Sequence, residues 1–296
     1  MKTPFWLKTV LCVWLVLFPA YPVVADGITA YANPQTRDLV ALVEAAAAAV
    51  HQKGEEVFPD FRREGGRWFQ ADRYIFVWDL QGNRYVYPPD PEHERGNFLD
   101  LKDVGGKSIG RMIVAIAAEG AGKGWVHYQW TRPHKLDPEW KSTYIVRAVA
   151  PSGKVYLVGS GIYRAGMEEA FIIEEVEAAA ALLQQEGQAA FVTLRDPNSR
   201  FFFHDTYIFV ITSKGIELVN PAFPALEGRN LWDIQDVNGK YIVQEFADLA
   251  LKKGAGWVTY YWPRPDAPQM PVKKASYVKK VQVDDEVMIV GAGMYE

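Results

Sequence analysis

Tyr74-Ile75-Phe76-Val77 returns 133 residues later as Tyr207-Ile208-Phe209-Val210, and this internal repeat limits the possible folds more than any other feature of the 296-residue chain. The same offset carries Gly54 onto Gly187, Phe58 onto Phe191, Gly82 onto Gly215 and Asn97 onto Asn230. It also carries Asp103-Val104-x-Gly106-Lys107 onto Asp236-Val237-x-Gly239-Lys240. After a one-residue deletion, Gly122-x-Gly-Trp125-Val126 matches Gly254-x-Gly-Trp257-Val258, and Trp130-x-Arg-Pro133 matches Trp262-x-Arg-Pro265. Lys141-x-x-Tyr144 then pairs with Lys274-x-x-Tyr277, and Gly159-x-Gly-x-Tyr163 with Gly291-x-Gly-x-Tyr295. Repeats of about 20–50 residues build solenoids, whereas one of this length gives two globular domains in tandem. Boundaries near 35–165 and 166–296 follow, joined by Arg164-Ala165-Gly166. So short a link predicts that the domains touch.

Each copy opens with an Ala-rich helical pattern. Leu39, Leu42, Val43, Ala46 and Val50 mark it in the first copy, ending near Gly54; Ile172, Ile173, Val176, Ala180 and Leu183 mark it in the second, ending at Gly187. In the first copy β-branched and aromatic runs follow at Arg73–Asp79 and Arg84–Tyr87, around Gln81-Gly82-Asn83. Then come a loop, a helix at Ser108–Ala118, and strands at Gly124–Trp130, Thr143–Ala150 and Val155–Gly159. The order α, β, β, α, β, β, β, with tight turns between strands, predicts an α+β fold. Each domain is an antiparallel sheet flanked by a long N-terminal helix and a shorter one, a PAS-like sandwich.

The N-terminus points to export. Lys2 and Lys8 precede the apolar run Val10–Phe18, Pro19 and Pro22 break it, and Val23-Val24-Ala25 offers a cleavage site after Ala25. This is the pattern of a secretory signal peptide over residues 1–25, and the run is short of the ~20 residues a membrane span needs. Retention as an N-terminal anchor is the other reading. Cys12 is the only cysteine and lies inside the segment, so the processed chain would have neither disulfides nor Cys-ligated metal. A periplasmic or secreted protein is expected. With 49% apolar residues, 23% charged residues and a net charge of −4, the composition is that of a globular protein and not of a nucleic-acid binder.

Taken together, the repeated motifs resemble the single-Cache type 2 domain. They are the aromatic strand, the Asp-Val-x-Gly-Lys turn, Gly-x-Gly-Trp-Val-x-Tyr-x-Trp, Lys-x-x-Tyr and Gly-x-Gly-x-Tyr. The resemblance runs through almost the whole chain, twice. It implies extracytoplasmic sensor domains of the kind found in bacterial chemoreceptors and histidine kinases, binding small organic molecules, often short carboxylates, against the sheet. The family often has His before its loop proline; here Tyr87-Pro88 and Asn220-Pro221 stand there. No signalling domain follows Glu296, so the expected product is a detached sensor module acting on a membrane-bound histidine kinase or chemoreceptor.

Strand alternation puts Val126, Tyr128 and Trp130 on one face and Trp125, His127 and Gln129 on the other. Tyr128, Trp130, Tyr260 and Trp262 then form matching aromatic walls whose OH and NH groups can orient a polar-headed ligand. Ordinary core packing under a helix would use the same residues. Arg132, Lys141, Arg264 and Lys274 offer cations for an anion, and Tyr144 and Tyr277 offer phenols three residues beyond each lysine. Solvated surface charge is the competing reading for the cations. The second copy keeps more of the family pattern around its loop, at Asn220-Pro221 and Gly228-Arg229-Asn230, which favours it over the first as the copy that binds.

An enzyme is not expected. His51, His93, His127, His134 and His204 have no His counterparts in the other copy and no metal-ligand spacing. Gly105-Gly106-Lys107-Ser108 lacks the earlier glycine of a phosphate loop, and no Gly-x-Ser-x-Gly elbow occurs. No cofactor is implied. The reading is a small-molecule sensor for a short organic anion; the alternative is a protein-docking module built from PAS-like domains, marked by a filled core beside Trp130 and Trp262.

Overall fold

The computed structural model describes residues 31–296 apart from Glu119, Gly120 and His134. The proposed signal segment, its cleavage site and Cys12 lie outside the described residues.

The first helix spans Pro34–Lys53, with proline at its start, where the missing N–H costs nothing, and Gly54 at φ 61° to end it. Its counterpart spans Glu169–Glu186 and stops at Gly187, φ 60°. Each is followed by a short helix, Phe58–Arg62 or Ala190–Arg195, and a two-stranded ribbon; the run expected over Arg73–Asp79 is divided, with Arg73–Tyr74 in the ribbon and Phe76–Asp79 in the sheet.

The sheet of the first copy runs Arg84–Val86, Phe76–Asp79, Val155–Tyr163, Pro138–Val149, Lys123–Thr131 in spatial order, all antiparallel. The second repeats it as Glu217–Val219, Phe209–Thr212, Glu286–Tyr295, Ala267–Val283, Ala255–Arg264. One face of the first sheet (Ile75, Val77, Trp125, Tyr144, Val146, Val158) packs under the long helix. The other (Phe76, Trp78, Val126, Tyr128, Ile145, Leu157) packs under Ile109–Ala118. That is the alternation expected of a sheet buried on both faces. In the second copy Glu169–Glu186 and Ile242–Lys253 take these roles. No helix among the described residues is long and apolar enough to cross a membrane.

Two strands extend beyond their expected limits. The strand expected from Thr143 begins at Pro138, because Glu139 and Lys141, weak strand formers alone, and Trp140 between them pair with Trp130, Tyr128 and Gln129. The strand expected to end at Gly159 runs to Tyr163, with Gly159 and Gly161 inside it. An added Cβ at Gly159 would come within 2.4 Å of the Phe76 ring, so the glycine marks close packing and not a strand end.

The two halves are in contact. Glu168 accepts from the Asn33 backbone at 3.0 Å and Asn33 Nδ2 at 2.9 Å. Glu174 accepts from the Trp125 N–H at 2.8 Å. Phe171 packs on Trp125 with ring centroids 4.7 Å apart, and His127 stacks on Phe203 at 4.1 Å.

Candidate functional site

On the face away from the long helix, a narrow cleft opens between the first sheet and the Ile109–Ala118 helix, with about 360 Å³ of space when the open solvent at its mouth is included. It is lined by Tyr74 of the ribbon, Phe76 and Trp78 of the strand that follows it, and Tyr87, Leu101, Ile109, Ile113, Tyr128 and Trp130. Two cations face it, Arg84 and Lys141.

Lys141 is held by sheet register. It lies between Tyr128 and Tyr163 on the flanking strands, and directly paired side chains share a face. Its ammonium donates to Tyr74 Oη at 3.0 Å and Tyr163 Oη at 3.4 Å, and lies 4.6 Å from both ring centroids. Burial pushes its pKa down to about 7, with only partial relief from Asp72. Gly161 makes room for the stem, since a Cβ there would come within 2.4 Å of Lys141 Cε.

Arg84 starts the edge strand and is 5% exposed. Its Nε and Nη2 donate to the His93 carbonyl at 3.1 and 2.6 Å, and the guanidinium lies 3.5 Å from the Phe98 ring centre and 4.1 Å from that of Tyr87. Among the described residues, neither Arg84 nor Lys141 forms a salt bridge with a carboxylate.

The second copy contains the matching narrow cleft, about 370 Å³ with the open solvent at its mouth included, lined by Tyr207, Phe209, Ile211, Leu231, Ile234, Ile242, Val243, Phe246, Tyr260 and Trp262. Lys274 is fully buried, its ammonium 4.0 Å from the Tyr207 ring centre and 3.4 Å from Tyr295 Oη. Burial lowers it to about 7 as well. At the position of Arg84 stands Glu217, beside Asn220 in place of Tyr87.

The sequence-derived candidates therefore separate. Tyr128, Trp130 and Lys141 meet at the first cleft, and Tyr260 and Trp262 at the second with Lys274 behind Tyr207. Tyr128 and Tyr260 share hydrogen bonds with Thr143 Oγ1 and Ser276 Oγ, both at 2.9 Å.

Tyr144 and Tyr277 lie on the opposite face. Tyr144 Oη donates to Glu44 of the long helix at 3.0 Å, and Tyr277 packs on Trp257 with ring centroids 5.5 Å apart. Three residues along a strand reverse the face, so the Lys-x-x-Tyr spacing cannot bring both side chains to one anion.

Arg132 and Arg264 are engaged elsewhere. Arg132 pairs with Asp72 and, at 2.8 Å, with Glu139, while Arg264 pairs with Asp205 at 2.5 Å. These arginines lie over the Tyr163 and Tyr295 rings and close the strand ends.

Sequence reasoning missed Tyr74, Arg84, Tyr87 and Tyr163 in the first copy, and Tyr207, Glu217, Asn220 and Tyr295 in the second. The signal for the charged pair was available: the 133-residue offset carries Arg84 onto Glu217 in one strand of one repeat.

Residues 45–172 match the family model for single Cache domain 2, and residues 173–296 match a second Cache domain model. The chain belongs to the Cache family. Its two Cache domains are of the sensor class carried by chemoreceptors and sensor histidine kinases. The chain is similar to the methyl-accepting chemotaxis protein McpP of Pseudomonas putida, 31% identical over 40% of this chain and 21% of that protein. It is also similar to the sensor histidine kinase MctS of Rhizobium johnstonii, 32% identical over 32% of this chain and 20% of that protein. It thus spans about a fifth of the length of the curated relatives it matches. A solved structure described as "Structural basis for carboxylic acid recognition by a Cache chemosensory domain" is 28% identical, with a TM-score of 0.37, covering 42% of this chain and 90% of that one.

Proposed function

We propose that this tandem Cache protein is an extracytoplasmic sensor whose first pocket binds a short organic carboxylate, and that occupancy is read by a membrane-bound histidine kinase or chemoreceptor. The observation that carries the reading is the pair of buried cations, Arg84 and Lys141, facing one small cleft without a carboxylate partner among the described residues. A buried charge needs a partner, and a carboxylate bound between guanidinium and ammonium supplies it. The aromatic wall of Tyr74, Tyr87, Tyr128 and Trp130 holds the apolar remainder and excludes water. The open clefts beside Trp130 and Trp262 favour ligand binding over a docking module with a filled core.

The test is a thermal-shift and calorimetry series on the full chain with aliphatic carboxylates of two to six carbons. A ligand at about 100 times its dissociation constant stabilises the folded state by roughly 2.7 kcal/mol. A shift that disappears in Arg84→Gln is the expected result. If no carboxylate shifts the melting temperature, the reading is withdrawn.

A further inference from the structure

The two clefts share their walls but bury side chains of opposite kind, a base in the first and an acid in the second. Tyr74, Phe76, Ile109, Tyr128 and Trp130 in the first correspond to Tyr207, Phe209, Ile242, Tyr260 and Trp262 in the second. At the start of the edge strand, Arg84 in one is Glu217 in the other, and both are buried, 5% and 3% exposed.

Glu217 lacks the ion pair that a purely structural carboxylate would have. Among the described residues its side chain accepts only from Asn220 Nδ2, at 2.8 Å on Oε1. Among the described residues lining the second cleft it is the one acidic or basic side chain of the Asp, Glu, Lys, Arg and His types. The charged groups whose fields reach it are Lys274, on another strand of the same sheet, and Glu227, in the following loop; the polar groups facing the same space are Asn220, Tyr207, Tyr260 and the Trp262 indole. An incoming carboxylate would meet a like group here, where the first cleft offers Arg84.

We propose that the second pocket selects a small apolar molecule carrying a protonated primary amine, with Glu217 receiving the ammonium and Phe209, Leu231, Ile242 and Phe246 enclosing the apolar body. The proposal rests on the reading of both clefts as ligand sites. A plain alkylamine and an apolar α-amino acid share this chemistry. They differ in whether a carboxylate is present to reach Lys274 behind Tyr207. One chain would then sample two classes of solute, an anion in the first domain and an ammonium in the second.

Proton linkage separates the two sites. Burial raises Glu217 to about 8, and a bound ammonium would draw it down, so ligand binding in the second pocket releases protons near neutrality. A carboxylate in the first pocket favours the charged form of Lys141 and takes protons up.

The experiment is isothermal calorimetry on the full chain with three probes of similar shape: isopentylamine, leucine and 4-methylpentanoate. Each is measured at pH 7 in buffers of low and high ionisation enthalpy. The expected result is one amine or leucine site per chain with proton release, weakened at least tenfold by Glu217→Gln and unchanged by Arg84→Gln. Gln keeps the shape of Glu and an acceptor for Asn220. Leucine binding much tighter than isopentylamine would assign the amino-acid source; equal binding would assign the amine.

Two sites for 4-methylpentanoate, or amine binding indifferent to Glu217→Gln, overturn the proposal. Loss of amine binding alone, with carboxylate binding in the first pocket intact, overturns it while leaving the sensor reading standing. Failure of all three probes removes both.

Discussion

Lys107 of the first domain donates to the Ser199 carbonyl oxygen of the second at 2.8 Å, and to that of Phe202 as well. Burial lowers its pKa to about 8. Its repeat partner Lys240 stays within its own domain, donating to Thr259 O at 2.7 Å and pairing with Glu245 at 2.8 Å. One motif position therefore serves a turn in the second copy and the domain contact in the first. Together with Glu168 on Asn33 and Glu174 on Trp125, it ties the second domain to the edge and helix of the first.

Lys107→Met tests that tie. The variant keeps most of the side-chain volume but leaves two carbonyl groups without their charged donor, and hydrogen bonds to charged groups contribute about 1.5–3 kcal/mol. Differential scanning calorimetry should show a lower melting temperature and a broadened or divided transition as the domains uncouple. A single transition at the wild-type temperature would show that the lysine does not couple them.

The tandem architecture was legible because repetition needs no structural inference: matches such as Trp125 with Trp257 align two sheets before either is seen. The aromatic walls were legible too, since alternation along one strand fixes which rings share a face. What failed was inference between strands. Lys141 meets Tyr74 and Tyr163 through strand order and register, which residue spacing along one strand does not contain, so Tyr144 was placed at the pocket by proximity in sequence alone. Arg132 reads in the sequence as a cation for an anion, but Asp72, 60 residues away, occupies its guanidinium. Arg84 starts a short edge strand, and nothing local to it in the sequence shows that it is buried.

Tyr144→Phe distinguishes the two faces of the sheet. Loss of the hydrogen bond to Glu44 should cost about 0.5–1.5 kcal/mol of stability. Carboxylate affinity should stay within about twofold of wild type, because the phenol lies beneath the long helix; the marginal value of remote changes supports that limit. Lys141→Met should weaken the same ligand at least about tenfold, the scale expected for losing a charge-assisted hydrogen bond. Equal effects of the two variants on affinity would contradict the assignment of faces.

Gly159 and Gly161 lie two residues apart on one face and should respond differently to alanine. At Gly159 the new methyl meets the Phe76 ring at 2.4 Å and Ile145 at 2.7 Å, a packed core, and overpacking of this kind costs about 1–3 kcal/mol. At Gly161 it meets Lys141 Cε at 2.4 Å and Thr143 Oγ1 at 2.6 Å, so the lysine must leave its position between the two tyrosines. Chemical denaturation should find Gly159→Ala the less stable of the two, while calorimetry finds Gly161→Ala the weaker carboxylate binder. The reverse ranking would mean that the glycine does not set the lysine's place.

Lys141 should also leave a signature in pH. Its folded-state pKa of about 7 lies below the ordinary lysine value of 10.5, so between those limits the unfolded chain binds more protons. Its contribution therefore makes stability rise as pH increases from about 7 to 10.5, and is flat below that window. Lys274 adds a rise over the same range, and Glu217, raised from 4.5 to about 8, opposes it between those two values. The informative quantity is therefore the difference between wild type and Lys141→Met, by urea denaturation at pH 7 and pH 9.5. The variant should gain on wild type at pH 7 and lose that advantage at pH 9.5. Ligand binding has the opposite pH preference: a carboxylate favours the ammonium form, so its affinity should fall as pH rises through about 7, and the fall should vanish in Lys141→Met. An affinity independent of pH from 6 to 9 in wild type would show that the lysine does not bear on the anion, leaving Arg84 to bind it alone.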